Sequence, residues 1–140
     1  MKLRVFVFDA EETVRHLLSQ VLERRGYEVH CFAQAYNCDV CEGRACADVV
    51  ITDVRLEQGS GIVFVEKQQA IGCLNKHLAL MASSWTEEER GRSAKLGCRI
   101  FSKPFSQQEL NSWLDEVERD IAVARELGDA YLKNTPHARD

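Results

Sequence analysis

The stretch Val49-Val-Ile-Thr-Asp-Val-Arg-Leu-Glu-Gln-Gly-Ser-Gly61 opens as a buried strand and then turns polar abruptly. Its apolar β-branched run, Val49–Thr52, fits a central parallel strand covered on both faces. The run ends on an acid, Asp53, followed by a loop that closes with Gly59-Ser60-Gly61. A carboxylate at the tip of a core strand is not demanded by burial, so the neighbouring strand ends decide what it is for.

Working outward, Arg4–Phe8 is a short apolar strand and Glu12–Arg25 a helix. Val14, Leu17, Leu18, Val21 and Leu22 share one face of that helix, which Gly26 ends as a C′ residue. Tyr27–Phe32 reads as the second strand and Ala33–Glu42 as a weaker helix ended by Gly43. After the central strand, Ile62–Ala70 is a helix and Leu78–Met81 the fourth strand. Thr86 with Glu89 makes a capping box for a helix that runs to Leu96 and stops at Gly97. Arg99–Ser102 is the fifth strand, ended by Lys103-Pro104. Ser106 with Glu109 opens the last helix, with Leu110, Leu114, Val117 and Ile121 on one stripe. Five strands alternating with five helices predict a doubly wound α/β domain with a parallel sheet. Its chemistry is expected at the C-terminal strand ends.

Composition sets bounds. The chain has 140 residues, 45% hydrophobic and 29% charged, which suits one domain with one core. Its 18 basic and 22 acidic residues leave a net charge of −4, which argues against nucleic-acid binding. The N-terminal apolar run meets acids after five residues and is too short for a signal segment, and no run is long enough to span a bilayer. A cytoplasmic protein with reduced thiols is expected. Among the six cysteines, Cys38, Cys41 and Cys46 lie close together. Without a second pair at matching spacing, small apolar residues are the better reading, with a metal or redox sensor the lesser one. Trp85, in the loop after the fourth strand, is read either as a partner-facing anchor or as a lid, and Trp113 as edge packing on the last helix.

The first strand ends on Asp9, the third on Asp53, the fourth on Met81-Ala82-Ser83, and the fifth on Lys103. Two carboxylates at one edge repel unless a cation or proton intervenes, and Mg²⁺ suits such oxygen ligands. An acid, Mg²⁺ and a lysine together point to phosphoryl transfer onto the carboxylate.

With Phe6-Val-Phe-Asp9-Ala-Glu-Glu-Thr, Val49–Gly61 and Lys103-Pro104-Phe105 in this order, the chain resembles the receiver domains of two-component response regulators. The resemblance covers Lys2 to Glu118. It implies a flavodoxin-like sheet of strand order 2-1-3-4-5, a single receiver domain over residues 1–127 with an extended last helix, and a flexible tail over 128–140. It implies a signalling module rather than an enzyme. Asp53 is the implied phosphoacceptor, with Asp9 and the Arg55 carbonyl as Mg²⁺ ligands, Lys103 on the acyl phosphate, and Lys103-Pro104 often cis. The implied partners are a histidine kinase or phosphotransfer protein upstream. Downstream, a protein target or a second copy would dock through the face of the fourth strand and last helix.

Three positions depart from the family pattern. Ala10 stands where the family has the acid that binds the metal directly, leaving Glu11 or Glu12 as substitutes. Ala82 aligns with the family Thr or Ser, with Ser83 as the alternative hydroxyl. Ile100 stands at the aromatic position, with Phe101 beside it. A unit charge at 4 Å is worth roughly 4 kcal/mol at an effective dielectric of about 20, so Mg²⁺ is expected to bind weakly. A receiver that accepts phosphate is the first reading and a phosphorylation-independent adaptor the second. A flavodoxin-like cofactor binder is disfavoured because Asp9-Ala-Glu-Glu12 would repel an anion.

Overall fold

The computed structural model describes residues 2–34, 47–70 and 77–134. The described elements are β1 (Arg4–Phe8), α1 (Glu12–Arg24), β2 (Glu28–Phe32), β3 (Val49–Asp53), β4 (Arg55–Leu56), β5 (Gly59–Ser60), α2 (Gly61–Ala70), β6 (Leu78–Ala82), α3 (Glu87–Lys95), β7 (Arg99–Ser102) and α4 (Gln107–Asn134). Five parallel strands form one sheet in the order β2-β1-β3-β6-β7. This is the expected flavodoxin-like order, with β6 and β7 in the fourth and fifth places. The loop after Asp53, read from sequence as a plain turn, contains the short antiparallel pair β4–β5. Four helices are described. Ala33 and Gln34 are not helical, and the remainder of the helix expected over Ala33–Glu42 lies outside the described residues, as do Cys38, Cys41, Cys46 and Cys73.

Side-chain alternation explains how the sheet sits in its core. Phe8, Val50, Leu78, Leu80 and Ala82 form one buried cluster with Ile62, Phe64 and Val65 of α2. Val5, Val7, Val49, Ile51, Ala79 and Met81 alternate with these on the other face and are as deeply buried. The central strands β1, β3 and β6 thus read as near-continuous apolar runs, whereas the edge strands β2 and β7 carry polar residues and are largely exposed.

The helices follow local signals closely. Gly26 adopts a φ of +98°, which an L side chain resists, and its N–H closes on the Glu23 carbonyl at 3.0 Å. In α1 only Leu18 and Leu22 are buried. Leu17, placed on the core stripe from its spacing, is 59% exposed, so the buried stripe is narrower than the apolar one. The Thr86–Glu89 capping box forms in both directions, with Glu89 N–H on Thr86 Oγ1 at 3.1 Å and Thr86 N–H on Glu89 Oε1 at 3.0 Å.

The chain forms two compact units, Met1–Pro104 and Phe105–Asp140. The first contains the whole sheet. The second contains α4, where Ser106 Oγ accepts from Glu109 N–H at 3.0 Å and Leu110, Trp113, Leu114 and Val117 are buried. The helix runs to Asn134, across the boundary expected at Leu127. The residues Gly128-Asp-Ala-Tyr-Leu-Lys include one poor helix former among good ones, and a single glycine does not terminate a helix already propagating.

Candidate functional site

Strand register brings the candidate residues to one level on one face. Phe8 pairs with Thr52, so Asp9 and Asp53 follow side by side at the ends of β1 and β3. Asp53 pairs with Met81, and Met81 with Phe101. Two residues further along their chains, on the same face by alternation, come Ser83 and Lys103. Ala82 therefore points the other way and lies fully buried in the α2 core cluster. The residue that continues the face of Asp53 is Ser83, which is exposed and the first beyond β6. Ala82, aligned from sequence with the hydroxyl position, thus faces the core, and Ser83 continues the Asp53 face without any loop shift.

The two acids are built alike. Asp9 Oδ1 accepts from the N–H of Glu11 at 2.8 Å, and Asp53 Oδ1 accepts from the N–H of Arg55 at 2.8 Å. Each is a side-chain turn spanning two residues, a conformation aspartate favours at strand exits. Turn formation and site chemistry are shared between the two oxygens of each carboxylate. The second oxygens converge. Lys103 Nζ donates to Asp9 Oδ2 at 2.7 Å and also donates to Asp53 Oδ2. Asp9 is 2% exposed and Asp53 7%. The Lys103-Pro104 bond is cis, as the resemblance implied.

Burial pushes the Asp53 carboxyl above its ordinary 3.8, against the hydrogen bonds from Lys103 and Arg55, which favour the charged form. Burial acts to lower Lys103, but its bonds to Asp53 and Asp9 prevail and hold the ammonium above 10.5. The site is thus a lysinium shared by two carboxylates, with one negative charge in excess when both acids are ionised.

The backbone behind Asp53 is closely covered. The Gly61 N–H donates to the Val54 carbonyl at 2.9 Å, and Thr52 Oγ1 donates to the Asp53 carbonyl at 3.0 Å. A Cβ at Gly61 would lie 2.1 Å from the Asp53 carbonyl oxygen and 2.7 Å from Thr52 Oγ1. Only glycine lets α2 start this close to Asp53.

Divalent-cation fit rests on the donors present. All acidic donors here are oxygens, and the Asp9 and Asp53 oxygens facing Lys103 already surround a cation. That is the hard-donor setting Mg²⁺ prefers, and the residues fit it. Ala10 is exposed and contributes no donor, so water must complete the shell. Glu11 and Glu12 are exposed, and Glu11 meets the site through its backbone N–H. Among the described residues, no three His, Cys, Asp or Glu side chains group as a metal set.

Other expected residues take settled places. Phe101 is buried in the sheet and Ile100 half-buried. Trp85 packs against the core cluster and donates Nε1–H to the Phe101 carbonyl at 3.2 Å, fastening the loop after β6 to β7. Burial raises the thiol of Cys31, and that of Cys98 to about 12. Two features escaped the sequence reading. Arg15 Nη1 donates to the Asp9 carbonyl at 2.6 Å. The Arg55 side chain donates through Nη1 to the Ser84 carbonyl at 3.1 Å and through Nη2 to both carboxylate oxygens of Glu89 at 3.3 and 3.2 Å. Arg55 and Glu89 lie 34 residues apart, and no local pattern links them.

A parallel sheet of this order, with two acids and a lysine joined at its C-terminal edge, defines a receiver-type signalling module. The chain belongs to the response regulator receiver domain family, whose description matches residues 5–115. Receivers of this family serve two-component signalling by taking phosphate on an aspartate, generally bind Mg²⁺ at that site, and interact with histidine kinases and phosphotransfer proteins. The chain is 30% identical to the transcriptional regulatory protein TdiR of Thauera aromatica over 95% of its own length and 57% of that protein's. It is 28% identical to the phosphate regulon transcriptional regulatory protein PhoB of Escherichia coli, over 87% of this chain and 54% of that one. The chain therefore spans about half the length of the curated relatives it matches. Among solved structures, the chemotaxis response regulator CheY4 of Vibrio cholerae shares the fold, with a TM-score of 0.70, 23% identity, and coverage of 84% of this chain and 99% of that one. No helix among the described residues is long and apolar enough to cross a membrane.

Proposed function

We propose that this receiver accepts a phosphoryl group on Asp53 from a histidine kinase or phosphotransfer protein, and that Ser83 serves as its hydroxyl. The observation that carries the reading is the Lys103 ammonium bonded to both Asp9 and Asp53 at three strand ends. An Asp53 oxygen attacks phosphorus, the N–P bond of the donor phosphohistidine breaks, and the electron pair leaves on the imidazole nitrogen. Lys103 neutralises charge on the phosphoryl oxygens as the bond forms. Ser83, on the same face, donates its hydroxyl to a phosphoryl oxygen.

Asp9, Asp53 and the Arg55 carbonyl are the Mg²⁺ ligands in this reading. The metal supplies further charge neutralisation at the phosphoryl group. With Ala10 adding no carboxylate, a high Mg²⁺ requirement follows. The reading includes action in the cytoplasm, with the added charge of about −1.5 to −2 passed to a downstream protein or a second copy.

Intact mass after incubation with acetyl phosphate and Mg²⁺ tests the proposal, with Asp53→Ala as control. A phosphate adduct on the wild type alone is expected. Absence of an adduct on folded protein at high Mg²⁺ overturns it and favours the second reading, a phosphorylation-independent adaptor. That reading draws on the exposed, donorless Ala10.

A further inference from the structure

Arg55 belongs to the site through its backbone and leaves it through its side chain. Its N–H holds Asp53 Oδ1, while its guanidinium crosses to Ser84 and Glu89. Glu89 is already occupied as the N3 acid of the α3 capping box, where it accepts from Thr86. One carboxylate therefore serves both the helix cap and Arg55. The Arg55 side chain is 53% exposed, so this ion pair is of the weak, solvent-screened kind. Ser84, the other anchor, directly follows the proposed hydroxyl residue Ser83.

A phosphoryl group on Asp53 would alter this balance, because three strong acceptor oxygens would appear beside the Arg55 backbone. Guanidinium binds phosphate bidentately, and the doubly charged group holds it more strongly than the single carboxylate of half-buried Glu89 does. The other cations nearby are engaged: Lys103 is shared between Asp9 and Asp53, and Arg15 is bonded to the Asp9 carbonyl. Ala10 adds no further carboxylate to help hold a metal. The site thus has a deficit of positive charge and one guanidinium, loosely held, within the segment that follows the acceptor.

We propose that the Arg55 guanidinium exchanges Glu89 for the phosphoryl group on Asp53, acting beside Lys103 as a second side-chain cation of the phosphoryl-transfer site. The exchange also frees the Ser84 carbonyl and the Glu89 carboxylate of the α3 cap from Arg55, so that the start of α3 senses the state of Asp53. This rests on Asp53 being the acceptor. With acetyl phosphate as donor, an Asp53 oxygen bonds to phosphorus and the bond from phosphorus to the acetate oxygen breaks. The electron pair leaves on acetate, while Arg55 and Lys103 share the charge of the transferring group.

In this arrangement Glu89 competes with the phosphoryl group for Arg55, and that sets the sign of the test. Labelling rates with acetyl phosphate and Mg²⁺ are measured by intact mass for the wild type, Arg55→Ala, Arg55→Lys and Glu89→Gln. Arg55→Ala is expected to slow labelling by about tenfold or more, the scale of losing a charge-stabilising donor. Arg55→Lys recovers part of that loss, and Glu89→Gln, which keeps an acceptor for Thr86, labels faster than the wild type. Hydrogen exchange over residues 83–89 increases when beryllofluoride is added to the wild type and stays unchanged in Arg55→Ala. An adduct forming equally fast in wild type and Arg55→Ala overturns the inference alone. So does a loss in Glu89→Gln as large as in Arg55→Ala, which would make the clasp a positioning brace. No adduct on the wild type overturns the Asp53 acceptor reading and this inference with it.

Discussion

Replacing Gly61 by alanine separates local helix preference from tertiary constraint. Gly61 is the first residue of α2, and alanine is favoured over glycine within a helix by about 1 kcal/mol. On propensity alone Gly61→Ala stabilises. The structure reverses the sign, because the new Cβ would sit 2.1 Å from the Asp53 carbonyl oxygen, where ordinary contact begins near 3.4 Å. Relief requires about 1.3 Å of movement, the difference of those two distances, between backbone segments rather than at a flexible side-chain end. The moving helix carries Ile62 and Val65, each 1% exposed, and its Gly61 N–H would leave the Val54 carbonyl. Overpacking of this kind costs about 1–3 kcal/mol and sometimes more. Since backbone blocks relief here, we take the upper end, for a net loss of about 2 kcal/mol after the propensity gain. Urea denaturation at pH 7 reads this directly. Gly91, inside α3 with nothing within 4 Å of its added Cβ, is the control, and Gly91→Ala should gain about 0.5–1 kcal/mol. Equal or greater stability of Gly61→Ala relative to the wild type would refute the close approach of α2 to the Asp53 carbonyl.

Lys103→Met leaves two buried carboxylates without their cation and should lower stability at pH 7 by about 3 kcal/mol, the lower end for breaking a buried pair. Because Lys103 is raised above 10.5 in the fold, its contribution is complete below pH 10.5 and is lost as pH climbs through the raised value. The wild-type advantage in urea should therefore be level from pH 7 to 10 and close above 10.5; an advantage that persists at higher pH would contradict the bridge. Thr86→Ala removes half of the α3 capping box and should cost about 1 kcal/mol by thermal or urea unfolding. Cys98, raised to about 12 by burial, should resist iodoacetamide at pH 8 in the folded protein and react on unfolding, as read by peptide mass.

Much of this protein can be read locally. Strand and helix positions follow from apolar runs, capping residues and glycines acting over a few residues, and among the described residues the structure keeps those bounds closely except for the helix expected from Ala33. Asp9, Asp53 and Lys103 were identifiable because polar groups at the ends of apolar strands have no packing reason to be there. Leu17 was misjudged because spacing shows which side chains share a face, not how much of that face is covered. α4 runs on to Asn134, past the apolar stripe that ends at Leu127, because helix propagation needs no apolar face and tolerates a single glycine.

What the sequence by itself determined is the alternation of elements and the set of groups that can do the chemistry, since both depend on interactions between near neighbours. What only the tertiary structure decided is which of those groups meet. Pairing of Asp53 with Met81 makes Ser83 the site-facing residue and sends Ala82 into the core, a choice that a one-residue difference in register would reverse. The bond between Arg55 and Glu89 and the glycine-only contact behind Asp53 likewise arise where distant segments come together. Such contacts depend on the distance between strand ends and helix starts, which the assembled sheet sets and no local pattern encodes.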